Sequence, residues 1–108
     1  MYNYDMLKID IQVLLWDETN EKHMLEKHHI TRADVEEICY TDSSSFLVED
    51  GHDGRYRVIG PRKDGKILVV ILALEDESRG IYYPVTAKQT KRQELRRYLA
   101  WKAGTEHE

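Results

Sequence analysis

Eleven cations crowd two stretches in the second half of the chain. Arg55, Arg57, Arg62, Lys63 and Lys66 surround a Gly-centred turn, and Lys88, Lys91, Arg92, Arg96, Arg97 and Lys102 fill the last helix-like segment and its approach. Only Asp64 and Glu94 oppose them within those stretches. If the two stretches meet in space, they make a phosphate-binding surface. Tyr56, Tyr82, Tyr83, Tyr98 and Trp101 are interleaved with them, and an exposed aromatic in such a patch can stack on a base. The competing reading is that basic residues on a C-terminal helix satisfy its dipole and solubility, while the tyrosines alternate into a core.

Five histidines raise the question of a metal. His23, His28 and His29 are close in sequence, but a helical ligand pair wants i, i+4 spacing. Residues five apart point in different directions on an ideal helix, so no metal site is expected. His28 and His29 suit the end of a helix, where an imidazolium meets the last free carbonyls. An imidazole pKa of about 6.5 also permits general acid or base work at His28. Cys39 shares an apolar helical stripe with Val35 and Ile38, which favours packing over nucleophilic chemistry. The chain has no Gly-x-Ser-x-Gly elbow, no Gly-Lys-Ser or Gly-Lys-Thr phosphate loop and no Gly-x-Gly-x-x-Gly fingerprint. Hydrolase and nucleotide-binding readings lose their usual support, and no cofactor is expected.

The elements that must position these groups follow from periodicity. Residues 7–16 alternate, with Ile9, Ile11, Val13 and Leu15 on one side, which predicts a half-buried strand. Asp17 then stands as the cap of a short exposed helix reaching His28. Thr31 with Asp34, and Ile30 against Val35, predict a capped and stapled second helix. Four strands are expected over residues 46–49, 55–60, 67–74 and 81–86, joined by turns at residues 51–54, 63–65 and 75–80. The last helix should run over residues 91–102, capped by Thr90 with Gln93, striped by Leu95, Tyr98 and Leu99, and stopped by Gly104. The order strand, helix, helix, four strands, helix reads as one α+β domain over residues 1–108, a largely antiparallel sheet with two helices in the N-terminal half and a basic C-terminal helix.

Composition agrees with a folded domain. Leu, Ile, Val and Phe make up 26 of 108 residues, above the ~20% below which disorder prevails. The net charge of −4 hides an asymmetry: residues 1–54 carry 13 acids and 4 bases, residues 55–108 carry 7 acids and 12 bases. Screening confines each exposed charge to roughly 10 Å, so the basic half can bind an anion despite the acidic total. The same asymmetry permits self-association. One cysteine fits a reducing cytosol, and residues 1–5 lack the basic-then-apolar order of a secretory signal, so a cytoplasmic location is expected. The longest uncharged apolar run, residues 67–74, is eight residues, against the ~20 needed to span a bilayer as helix, so no membrane partner is expected.

Two stretches carry a more specific signal. Trp16-Asp17-Glu18-Thr19-Asn20-Glu21-Lys22-His23 continues to Lys27-His28 and Ile30-Thr31-Arg32-Ala33-Asp34-Val35-Glu36-Glu37, and Arg55-Tyr56-Arg57-Val58-Ile59-Gly60 follows. With the ending Val85-Thr86-Ala87-Lys88 and the Arg92-Gln93-Glu94-Leu95-Arg96-Arg97-Tyr98 helix, the succession resembles the BrnT family of toxins over roughly residues 11–98. His29, where many BrnT relatives have Gly, and Gln89, where a basic residue is frequent, depart from that pattern. The resemblance implies a RelE-like ribonuclease fold, toxicity through RNA cleavage that blocks translation, and neutralisation by a BrnA-like antitoxin.

Metal-independent RNA cleavage needs a base for the ribose 2′-OH, an acid for the leaving oxygen and cations for the phosphorane. Under the resemblance, Lys88 and Arg92 are the expected cations, aided by the helix N-terminus. Arg55 is expected to position phosphate, with Arg57 as its alternative on the same strand face, and Lys91 and Arg96 extend the RNA-binding surface. Tyr98, His28 and Glu94 are the candidate proton-transfer groups. Each has a structural rival: Tyr98 in an apolar stripe, Glu94 paired with Arg97 or Tyr98, His28 as a helix cap. Trp16, Asp17, Asn20 and His23 read first as a structural motif. The alternative function is a non-catalytic binding module whose charges spread over a flat or apolar-centred patch facing an antitoxin-like partner.

Overall fold

The computed structural model describes residues 7–106. Residues 1–5, expected above to carry no secretory signal, lie outside them. The elements run β1 (Val13–Leu14), α1 (Glu18–His28), α2 (Arg32–Cys39), β2 (Leu47–Asp50), β3 (Arg55–Pro61), β4 (Ile67–Asp76), β5 (Ile81–Gln89) and α3 (Arg92–Glu106), with a 3-10 turn at Ser43–Ser45. The strands form one sheet in the order β1-β5-β4-β3-β2, parallel between β1 and β5 and antiparallel elsewhere. The α+β expectation therefore holds.

The apolar run that marked β4 makes it the sheet's central strand, buried on both faces. Leu68, Val70 and Leu72 point into a core formed with Met24, Ile30, Val35, Ile38 and Phe46 from the α1–α2 side. Val69 points the other way, joining Leu47 and Ile59 beneath Tyr98 and Trp101 of α3. The helices thus lie on both faces, and each fully buried aliphatic side chain contributes roughly 1.5–3 kcal/mol toward holding them there.

Both N-terminal caps form as the sequence indicated. The Asp17 carboxylate accepts from the Asn20 N–H at 2.8 Å while the Asn20 side-chain oxygen accepts from the Asp17 N–H at 2.9 Å. Thr31 and Asp34 repeat the arrangement at α2. α1 ends at His29, which takes the left-handed conformation at φ 56° and donates its N–H to the Leu25 carbonyl. That conformation costs a β-carbon-bearing residue energy, which is why Gly is common there.

Three expectations need correction. The strand over residues 7–16 shrinks to Val13–Leu14, because the N–H groups of Gln12 and Val13 both donate to the Gly80 carbonyl, at 2.9 and 3.0 Å. Two donors on one carbonyl make a bulge that reverses the alternation. Leu7, Ile9 and Ile11 lean on the core before it and Leu14 after it, leaving Val13 and Leu15 exposed. Gly80 has φ 66°, and a β-carbon there would lie 2.5 Å from the Asp10 carbonyl, so the bulge depends on glycine. At the far end, Thr90 does not cap α3 but donates its hydroxyl to the Ile67 carbonyl, while Glu94 reaches back to the Lys91 N–H at 2.6 Å. Gly104 does not stop the helix, which continues to Glu106.

Candidate functional site

The Trp16 to His23 segment is a joint between β5 and α1. Beyond Tyr82, β5 has no strand on its outer side, and α1 packs along it instead. Asn20, 2% exposed, donates from its side-chain amide to the Pro84 carbonyl and to the Leu15 carbonyl, each at 3.0 Å. Asp17 accepts from the Tyr83 hydroxyl at 2.9 Å as well as capping α1. These bonds hold the Asp17 carboxyl below its ordinary range, the Asn20 N–H first among them. The structural reading of Asp17 and Asn20 fits this geometry.

The α3 face of the sheet is built in rows. Register places Ile59, Val69 and Lys88 side by side, then Arg57, Ile71 and Thr86, then Arg55, Ala73 and Tyr83, all pointing to one side. α3 covers only part of it. Tyr98 and Trp101 close over Leu47, Ile59 and Val69 near the β2 edge. Toward β5 and β1 the face is left half-covered or open, with Ile71, Ala73, Tyr83 and Thr86 half-buried and Val13 and Leu15 exposed. Arg55 and Lys88 lie two rows and two strands apart on this face.

On the covered half the sequence-derived candidates are occupied. Glu94, 5% exposed, ion-pairs with Arg57 and caps α3 through Lys91. Arg57 also approaches Glu49 at 3.6 Å, and Arg97 binds the same Glu49 carboxylate at 2.7 and 3.1 Å. The rival reading of Glu94 as a pairing residue on α3 looks to Arg97 or Tyr98; the partner across the sheet is Arg57. Tyr98, 4% exposed, packs on Trp101 and donates its hydroxyl to the Ser45 carbonyl at 3.3 Å, close to the β2 edge. Three strand spacings, about 14 Å, separate that edge from β5. Tyr98 and Glu94 are thus fixed in packing and capping rather than presented to a substrate, and Arg57 is committed where Arg55 is exposed. The Glu94 carboxylate, bound to the Lys91 N–H just ahead of α3, brings a negative charge to the helix N-terminus and so lessens its pull on an anion.

On the open half, basic groups gather where α1 ends beside Lys88, while the Asp17 carboxylate stays on Tyr83 farther along β5. His28 lies at the end of α1, and the charged groups acting on it are His23, Lys88, Lys27 and His29. Burial first, then these like charges, lower its pKa from the ordinary value, which leaves a neutral imidazole able to accept a proton at neutral pH. The rings of His23 and His28 meet edge to face with centroids 5.6 Å apart, and His23 Nε2 lies 3.2 Å from the Thr86 hydroxyl oxygen. Helical spacing alone argued that these imidazoles diverge. They meet because His28 is the last residue of α1, where its side chain is free of a following turn. Thr86 stands in the Val85-Thr86-Ala87-Lys88 segment of the resemblance, with no role of its own. Lys91, Arg92 and Arg96 are exposed at the start of α3.

Elsewhere, Arg62 is tied to Asp64 by two hydrogen bonds, at 2.7 and 3.1 Å, which hold the Asp64 carboxyl down to about 2. A groove of about 450 Å³ between α2 and the β3–β4 hairpin is lined by Glu36, Glu37 and Tyr40 along with Arg62, a mixed rather than cationic wall. Cys39 is buried, and burial pushes its thiol up to about 12, which suits packing. Among the described residues no three metal-ligating side chains cluster, and no helix is long and apolar enough to cross a membrane.

Comparison with solved structures finds the crystal structure of the Brucella abortus ribonuclease toxin BrnT, at a TM-score of 0.59 and 20% sequence identity, over 73% of this chain and 96% of BrnT. The chain has a BrnT-like fold. No protein-family model matches the sequence, and neither does any curated protein. The likeness to BrnT is therefore one of architecture, and the chemistry of the site has to be argued from this chain's own residues.

Proposed function

We propose that this protein is a toxin-like RNA endonuclease of the BrnT type, acting in the cytosol without a metal to block translation, and restrained by an antitoxin-like protein. The observation that carries this reading is the open half of the α3 face. At its β5 edge it brings a neutral His28 together with His23, Thr86 and Lys88, in the fold of a ribonuclease toxin.

In this mechanism single-stranded RNA lies along the rows of β3, β4 and β5, with Arg55 and the exposed cations of α3 holding phosphates. Tyr83 and the apolar floor take a base. His28 accepts the 2′-OH proton as the oxygen attacks phosphorus, and the P–O5′ bond breaks with the leaving 5′-oxygen taking a proton from solvent water, giving a cyclic phosphate and a 5′-hydroxyl end. Lys88 and Arg92 stabilise the charge that builds on the phosphoryl oxygens, which is the largest contribution available without a metal.

Labelled mixed RNA incubated in EDTA with the native protein and with a folded Lys88→Ala/Arg92→Ala variant tests the reading. Cleavage by the native protein, reduced at least about 100-fold in the variant, supports it. The exposed Val13 and Leu15 on the same face favour a second reading, a binding module for an antitoxin-like protein. Absence of cleavage by the native protein selects that alternative.

A further inference from the structure

The His23, His28 and Thr86 arrangement belongs to no cap and no core. Thr86 stands on the open face of β5 beside Ile71, and its hydroxyl lies within hydrogen-bond distance of the exposed His23 ring. That ring meets His28 edge to face. We propose that His23 is a positioning residue for His28: Thr86 anchors the His23 ring, and the His23 ring in turn sets the His28 imidazole against the open sheet face for proton transfer. The inference rests on the ribonuclease reading and deepens it, since it concerns the same site.

Two imidazoles in contact couple their charges, because a proton on one opposes a proton on the other. The groups facing His28 all push the same way: Lys27, His29 and His23 from α1 itself, and Lys88 from β5. Removing the His23 charge removes one of these pushes, so His28 then holds its proton to higher pH. A base that stays protonated longer works over a narrower range. His23 thereby widens the range over which His28 accepts a proton, as well as fixing its direction.

The test is the pH profile of single-turnover RNA cleavage by the full chain, alongside NMR titration of the His28 ring protons, for the native protein, His23→Gln, Thr86→Val and His28→Gln. Glutamine keeps a group able to bond Thr86 and removes the titration. His28→Gln should lose about 100-fold in rate. His23→Gln should move both the acid limb of the profile and the His28 titration to higher pH. Thr86→Val should lose about tenfold in rate through a misplaced ring while the His28 titration moves less. Native cleavage with neither the limb nor the titration moved by His23→Gln overturns the inference and leaves the ribonuclease reading standing. No cleavage by the native protein at any pH overturns both.

Discussion

The two halves of the α3 face contain the same kinds of side chain and use them oppositely. On the covered half near β2 and β3, opposite charges pair: Glu94 meets Arg57, and Glu49 meets Arg57 and Arg97. Near β5, the charged groups acting on His28, namely His23, Lys88, Lys27 and His29, are all basic, and the acidic Asp17 sits farther along the strand on Tyr83. Paired and buried charges hold elements together, at a desolvation cost that their partners offset. Like charges kept together gain nothing for the fold, and an anion that joins them removes the repulsion. The comparison teaches that residue type alone does not separate scaffold from site; the sign of the neighbours does.

Changes on each side can break or sharpen this contrast. The largest stability effect belongs to Glu94→Ala, which leaves Arg57 with only its longer contact to Glu49 and uncaps α3. A fully buried ion pair would lose 3–5 kcal/mol, but Arg57 keeps 28% of its side chain in solvent, so about 2–3 kcal/mol is expected from denaturant unfolding. Asn20→Ala comes next, leaving the Pro84 carbonyl without the amide that donates to it and loosening α1 from β5. A loss of about 2 kcal/mol is expected, together with faster amide exchange along the outer side of β5.

Asp17→Ala removes a cap and the Tyr83 contact, and should lower Tm by a few degrees. The pH dependence follows from the direction of its shift. A carboxyl held below its ordinary range stabilises the fold above the unfolded-state value, and that contribution is lost as pH falls through the folded-state value. Native and Asp17→Ala proteins should therefore converge in Tm under acid conditions; a constant gap would contradict the assignment. His28 adds a loss of the same sense, beginning at higher pH, because its lowered pKa means the unfolded chain binds the proton first. The smallest effect is favourable: His29→Gly relieves the left-handed residue at the end of α1 and should stabilise by up to about 1 kcal/mol.

Much of the fold was legible because its signals are local. Alternation, caps and positive-φ turns depend on neighbours in sequence, and they marked both N-terminal helices, the three antiparallel pairings and the apolar strand β4. What escaped depends on distant contacts. The bulge at Gln12 and Val13 exists because Gly80, far along the chain, offers one carbonyl to two donors. The partner of Glu94 is Arg57 because α3 crosses the sheet face that carries it, a fact no helical spacing contains. For the site, Lys88, His28 and Arg55 were legible as charge-bearing residues at element ends. For Tyr98 the two readings, apolar stripe and proton transfer, look alike in sequence, and its packing on Trp101 and bond to Ser45 favour the stripe. The contact of His23 with His28 was hidden by treating the helix as ideal to its last residue.

The central claim is that the open half performs chemistry while the covered half holds the fold. Its most direct test is the RNA cleavage rate per folded molecule in EDTA, measured for Lys88→Ala and for Glu94→Ala against the native protein. The account predicts a loss of about 100-fold or more for Lys88→Ala at native stability, and a rate close to native for Glu94→Ala despite its reduced stability. A rate close to native for Lys88→Ala, with the large loss at Glu94→Ala, would contradict it.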